Sequence, residues 1–171
     1  IQSTQARNGR FTVHKQSYPD GKVSTFISSY SPGEAILALV RVYKVDPNPK
    51  WLDLAERSAQ YLINVRDKGL ALKRSPHDHW LLYGLNELYQ YRSNSIYLNH
   101  ALKIGEAIIS SQIREHEHPD FNGGYYFPPR STPTATRSEG LCAAYHLARK
   151  FSPKDAPAIL AAIENGIKFQ L

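Results

Sequence analysis

Apolar residues recur at helical spacing through most of this chain, and the pattern of one stretch is written again further along. Leu39, Tyr43, Asn48, Leu52, Ala55 and Ile63 fall on Leu85, Tyr89, Asn94, Leu98, Ala101 and Ile109, each pair 46 positions apart. Ala38 and Ala59 fall on Gly84 and Gly105, so small residues also match small. A repeat of this length, with an apolar face on each side of a short turn, predicts stacked helical hairpins.

Punctuation along the chain supplies the boundaries. Residues 1–30 lack the helical period. Phe11-Thr-Val-His and Val23-Ser-Thr-Phe-Ile27 flank Tyr18-Pro-Asp-Gly21, which predicts a turn inside a short β-hairpin or extended segment. Ser31-Pro-Gly-Glu34 then opens the first helix, with Ser31 as N-cap, proline at the first helical position and Glu34 at the positive end. Asp46-Pro-Asn-Pro49 breaks it, and a second helix is expected to about Asn64. A basic connection, 66–75, leads to a third helix opening near Pro76-His-Asp-His-Trp80, and a fourth is expected from about Ile96 to Arg114. A long loop, 115–136, precedes a third hairpin in which Ala143 and Leu147 match Ala38 and Val42 at an offset of 105. The expectation is an all-α chain of three hairpins, 31–65, 76–114 and 136–171, in one hairpin-repeat domain.

Bulk composition changes this picture little. At 171 residues, 42% hydrophobic and 21% charged, the chain falls among ordinary globular domains. No apolar run approaches the roughly 18–20 residues of a membrane span. The formal charge is +6, but the lysines and arginines are scattered without the stripe that nucleic-acid recognition wants. Neither a nucleic acid nor a membrane is therefore expected as a partner. The single cysteine, Cys142, excludes an internal disulfide and a multi-cysteine zinc site. It lies beside Ala143 and Ala144 on an apolar face, where a buried, inert thiol is expected, and His146 is a weak candidate for activating it. The chain begins at Ile1 and holds no Met, which points to a processed protein or a piece of a longer one and leaves the compartment open.

Three segments carry a family resemblance: Ser31-Pro-Gly-Glu-Ala-Ile-Leu-Ala-Leu, His79-Trp80 opening the next inner helix, and Gly123-Gly-Tyr-Tyr followed by Thr136-Arg-Ser-Glu-Gly-Leu. With the hairpin spacing, these resemble the six-hairpin, or (α/α)6-toroid, superfamily of six-hairpin glycosidases, unsaturated glucuronyl hydrolases and N-acylglucosamine 2-epimerases. The resemblance covers about residues 11–171 and is one of pattern. A full toroid has six hairpins and this chain has three, so the remaining hairpins of a longer parent chain are expected as partners. The resemblance implies a sugar-binding cleft at the starts of the inner helices, and it implies no cofactor.

The repeat itself places candidate chemistry. Glu34, Trp80 and Glu139 occupy the same position in three successive units, at offsets of 46 and 105. Around them stand His77, Asp78, His79, Arg137 and Ser138. Two carboxylates, Glu34 and Glu139, are the candidate catalytic pair, since sugar hydrolysis commonly uses one protonated and one ionised carboxyl. Asp78, His79, Trp80, Tyr125, Tyr126, Arg130 and Arg137 are the candidate substrate-binding residues. An indole or phenol face covers the apolar side of a sugar, and an arginine can clasp a uronate through two parallel hydrogen bonds. An epimerase would instead use His or Glu on both sides of the reacting carbon.

Plainer readings compete at each position. Glu34 suits the first turn of a helix on dipole grounds, and Thr136-Arg-Ser-Glu139 has the form of a capping box. Trp80 fits a core, Arg137 a solvated surface, and Tyr125, Tyr126 and Phe127 a packed loop. His77 and His79 are two apart, as are His116 and His118, a spacing that does not share a helix face, so no metal site is expected. The reading is therefore a carbohydrate-active domain acting on an oligosaccharide or polysaccharide, glycoside hydrolase-like, with an epimerase or lyase also open. The alternative is a non-catalytic helical-repeat module binding a protein or peptide.

Overall fold

Six α-helices follow one another in the computed structural model, which describes residues 2–171 and leaves Ile1 outside. They are α1 (Ser31–Val45), α2 (Lys50–Tyr61), α3 (His79–Tyr89), α4 (Ser95–Ser110), α5 (Ser131–Phe151) and α6 (Ala156–Gln170). Among the described residues there is no strand, and the chain is all-α. Matched residues do matched work at the helix entries. Asn48 Oδ1 accepts from the Lys50 N–H and Asn94 Oδ1 from the Ile96 N–H, both at 3.1 Å, occupying backbone donors that a helix start leaves without a partner.

Several boundaries differ from expectation. The N-terminal β-hairpin reduces to two isolated antiparallel bridges, Gln5 with Phe11 and Gln16 with Val23. The turn at Tyr18–Gly21 does reverse the chain, but the residues beyond it, including Phe26 and Ile27, are exposed and have no partner strand to continue the ladder. Ser31 is not the N-cap of α1. Tyr30 holds that place, and Ser28 Oγ accepts from the Ser31 N–H at 3.0 Å. Helix α5 begins five residues before the expected Thr136, so Thr136-Arg-Ser-Glu139 lies inside the helix. Thr136 Oγ1 bonds back to the Pro133 carbonyl and caps nothing. The capping-box reading of Glu139 falls with it.

Each odd-numbered helix packs on the even-numbered helix that follows it, and α3 packs between α1 and α5 in one row. The repeat pairs Leu39 with Leu85 and Ala55 with Ala101, and all four are buried in one core. The core thus follows from two successive units presenting the same apolar faces. Two glycines bring the row close together at one end. A Cβ on Gly33 would come within 2.5 Å of the Leu81 backbone nitrogen, and one on Gly140 within 2.8 Å of the His79 Cβ. Each is followed or preceded by a candidate carboxylate, so the backbones carrying Glu34 and Glu139 close on the first turn of α3 from both sides.

The connections repeat as well. Gln5 Nε2 donates to the Leu54 carbonyl and Gln112 Nε2 to the Ala162 carbonyl, both at 2.9 Å. Gly9 and Gly123 share the left-handed conformation, at φ 93° and 91°. A Cβ on either would lie 2.0 Å from a carbonyl oxygen, that of Arg57 in α2 or Asn165 in α6. Two residues later stand the buried rings of Phe11 and Tyr125. The segment ahead of the first hairpin therefore seats on α2 as the segment ahead of the third seats on α6, with a glycine where only hydrogen fits.

Candidate functional site

Arg66, Asp67, Asp78 and His100 form a linked set beneath the row's N-terminal end. The α2 helix does not stop at Tyr61 but widens into a π turn, Leu62–Arg66, with the Asp67 N–H bonded to the Leu62 carbonyl at 2.9 Å. This turn carries Arg66 inward. Its guanidinium holds both oxygens of Asp67, at 2.7 and 2.8 Å, and reaches Asp78 Oδ2 at 3.5 Å and the Ser29 carbonyl at 3.4 Å. His100 of α4 bonds Asp67 Oδ2 at 3.0 Å. Burial pulls the Asp67 carboxyl upward, but the bonds from His100 and Arg66 outweigh it and hold it below its usual range.

Asp78 has no exposed surface and caps α3, its Oδ1 accepting from the Leu81 N–H at 2.9 Å. Burial pushes its carboxyl up to about 6, against the opposing pull of the Leu81 N–H and Arg66. Asp78 was expected to bind substrate. The structure instead encloses it, because an N-cap side chain turns back toward its own helix.

The mouth lies where the first turns of α1 and α3 meet the third turn of α5. His79 stacks against Tyr30 at 5.4 Å and Trp80 at 5.2 Å between ring centres, and Trp80 continues to Tyr83 at 6.0 Å. Burial lowers the His79 imidazole, with Arg137 acting in the same direction, while the charges of Glu139 and Glu34 pull it the other way. Both carboxylates therefore lie within electrostatic reach of one half-buried ring, and both are themselves exposed. Trp80 is half-buried, neither a core residue nor a free one.

Arg137 is held at the opposite rim. Its Nε donates to His77 Nδ1 at 3.1 Å, Nη1 to the Pro133 carbonyl at 3.1 Å and Nη2 to the Tyr126 hydroxyl at 3.0 Å. Burial, and then the Arg137 charge, push His77 down to about 4, so at neutral pH its Nδ1 is free to accept. The guanidinium also lies over the rings of Tyr125 and Tyr126, 5.2 and 4.7 Å from their centres. Among the described residues no carboxylate pairs with Arg137. Tyr126 is exposed and left-handed, at φ 72°, a conformation that costs a non-glycine residue roughly 1–2 kcal/mol. That backbone turns its hydroxyl onto Arg137.

The other candidates separate. Tyr125 is buried, its hydroxyl unpartnered and pushed up to about 12 by burial, so it packs the loop and offers no platform to a ligand. Arg130 is exposed over the Tyr126 ring at 4.9 Å. Cys142 is half-buried, and burial raises its thiol, as does the neighbouring Glu139. Among the described residues no group of three or more His, Cys, Asp or Glu side chains is arranged to hold a metal ion. Sequence reasoning missed His77 as a partner of Arg137, Tyr30 as a wall of the mouth and the whole Arg66 set. The neighbouring Arg66-Asp67 pair, so close to an expected helix end, was the available signal for the last. Compared with known family models, curated proteins and solved structures, the chain shows no significant match.

Proposed function

We propose that the mouth formed by the first turns of α1 and α3 and the third turn of α5 binds an oligosaccharide that contains a uronate, and that Glu34 and Glu139 are its acid and base carboxylates in a glycoside hydrolase-like reaction. In this reading the three hairpins have the (α/α)-toroid arrangement, with α1, α3 and α5 as the inner row and α2, α4 and α6 outside. The observation that carries the substrate class is Arg137. A guanidinium has five N–H donors. Three of them go to neutral partners, His77, Pro133 and Tyr126, leaving two for a ligand. A half-buried cation with neutral partners is matched by a ligand carboxylate, and a planar guanidinium takes it bidentately. Tyr30, His79 and Trp80 supply the aromatic wall that a sugar ring stacks on, and the neutral His79 imidazole is within electrostatic reach of both carboxylates.

The test uses matched neutral and uronate-containing oligosaccharides, with binding followed at the Trp80 indole and turnover by released reducing ends. Arg137→Lys is expected to weaken uronate binding about tenfold, worth about 1.4 kcal/mol, and to leave the neutral sugar unchanged. Glu34→Gln and Glu139→Gln should each abolish turnover with helicity intact. The second reading, a module that binds a protein or peptide, is favoured by the aromatic pairs Tyr43–Tyr91 and Tyr89–Phe151 at the other end of the same helices. An absence of any sugar-induced shift, with the fold intact, would leave that reading standing and sink the first.

A further inference from the structure

A cavity of about 350 Å³ lies beside the mouth, between the N-terminal segment, the first turn of α1 and the end of α2. Phe11, Pro32, Tyr61 and Leu62 give it a mainly apolar wall. It is large enough for a single-ring organic molecule, at the lower end of the range of small-ligand pockets. Two residues of this lining each carry a buried polar atom with no hydrogen-bond partner, Ser58 Oγ and His14 Nδ1. Ser58 is only 1% exposed. A helical serine in its place would usually bond back to the carbonyl four residues earlier, but that carbonyl, Leu54, already accepts from Gln5. His14 uses its other ring nitrogen on the Phe11 carbonyl at 3.1 Å, which leaves Nδ1 turned away from the backbone bond. Buried polar atoms are rarely left unpaired, so the Ser58 hydroxyl beside this apolar cavity is a donor that a ligand can satisfy.

The charge around the cavity narrows the ligand. Arg10 and Arg66 line it and no acidic side chain does. Arg66 is compensated by Asp67 and Asp78, whereas Arg10 forms no ion pair among the described residues. We infer that this cavity is a binding site for a small organic acid, an aromatic or short-chain monocarboxylate, whose apolar body fills the wall of Phe11, Pro32, Tyr61 and Leu62 while its carboxylate meets Arg10 and accepts a hydrogen bond from the Ser58 hydroxyl. The site is independent of the oligosaccharide reading, for it shares none of the mouth's residues. Occupancy would nonetheless be felt there. Ser28 and Ser29 line the cavity and lead directly into Tyr30 on His79, and the Ser29 carbonyl is tied to Arg66.

Benzoate and benzyl alcohol, nearly equal in size and differing in charge, are the probes. Each is titrated into the 171-residue protein and followed by amide-resolved NMR. Saturable shifts at Arg10, His14, Ser28 and Ser58, stronger with benzoate, are expected. Arg10→Gln, at an exposed position, should weaken benzoate about fivefold and leave benzyl alcohol within about twofold. Ser58→Leu fills the cavity and should remove both. Arg10→Gln keeps the test decisive even if that variant does not fold. Failure of both probes to give saturable shifts at these amides overturns the site. Equal binding of the two probes, unaffected by Arg10→Gln, overturns the organic-acid assignment.

Discussion

Asp78 offers the sharpest test of how the mouth is supported. Its carboxyl is pushed up to about 6 by burial, whereas an unfolded chain would titrate it near 3.8. A folded pKa above the unfolded value means that the native state binds the proton more tightly. The contribution to stability is complete below the unfolded pKa and is lost as pH rises through about 6. Asp78→Asn keeps an oxygen that can accept from the Leu81 N–H and removes the titration. From pH 7 down to pH 4.5, linkage over this shift gives about 2 kcal/mol by which the native protein gains on the variant. His77 moves the other way in the same window. Its folded pKa is about 4 against an ordinary 6.5, so its contribution is present above 6.5 and falls away toward 4. The native pH profile alone can therefore look flat, and the difference between the two proteins is the quantity to measure. Urea unfolding followed by helicity at pH 7 and 4.5, repeated in a His77→Gln background, isolates it. Asp67 titrates below its usual range and stays outside the window. A difference between native and Asp78→Asn stabilities that is constant across pH, or that grows in the variant's favour on acidification, refutes the buried-carboxylate account.

Two further outcomes are expected. Gly33→Ala places a Cβ 2.5 Å from the Leu81 backbone and should cost about 1–3 kcal/mol by denaturant unfolding, with the Trp80 fluorescence shifted; Gly69→Ala, with open space around it and φ 69°, should cost only about 1 kcal/mol. Equal losses at the two glycines would show that close helix packing is not what Gly33 provides. Because burial and Glu139 raise the Cys142 thiol, its labelling by a disulfide reagent at pH 7.5 should be slower than that of an unfolded control by more than tenfold, and rapid labelling of the folded protein would contradict this.

Most of the helical framework was legible along the chain, because its signals act within about four residues. The apolar period, the Pro-Asp-Gly turn, the asparagines at 48 and 94 and the small residues at matched positions all report on their immediate neighbourhood. The 46-residue repeat then placed Glu34 and Trp80 in equivalent positions with no coordinates at all. The start of α5 escaped for the opposite reason. Thr136 and Glu139 have the form of a cap, but Pro133 and Thr134 already continue a helix begun at Ser131, and local form cannot say which of two starts the packed chain uses. The Gln-Ala-Arg-Asn-Gly-Arg-Phe segment at 5–11 and Asn-Gly-Gly-Tyr at 122–125 were also readable as a second repeat. An unequal spacing hides it, with seven additional residues between Arg114 and Asn122.

Chain order alone thus determined that this is a repeated all-helical protein and which residue types crowd one end of it. Only the tertiary structure decided which of those side chains face outward. Arg137 meets His77 across 60 residues and Asp67 meets His100 across 33. Such bonds depend on where whole helices rest against one another, through Gly33 and Gly140, and no local pattern carries that distance. Asp78 makes the contrast plain. Its place before a helix was visible in the sequence, while its burial, which raises its carboxyl, and its contact with Arg66 on a π turn of another helix depend on the packed fold.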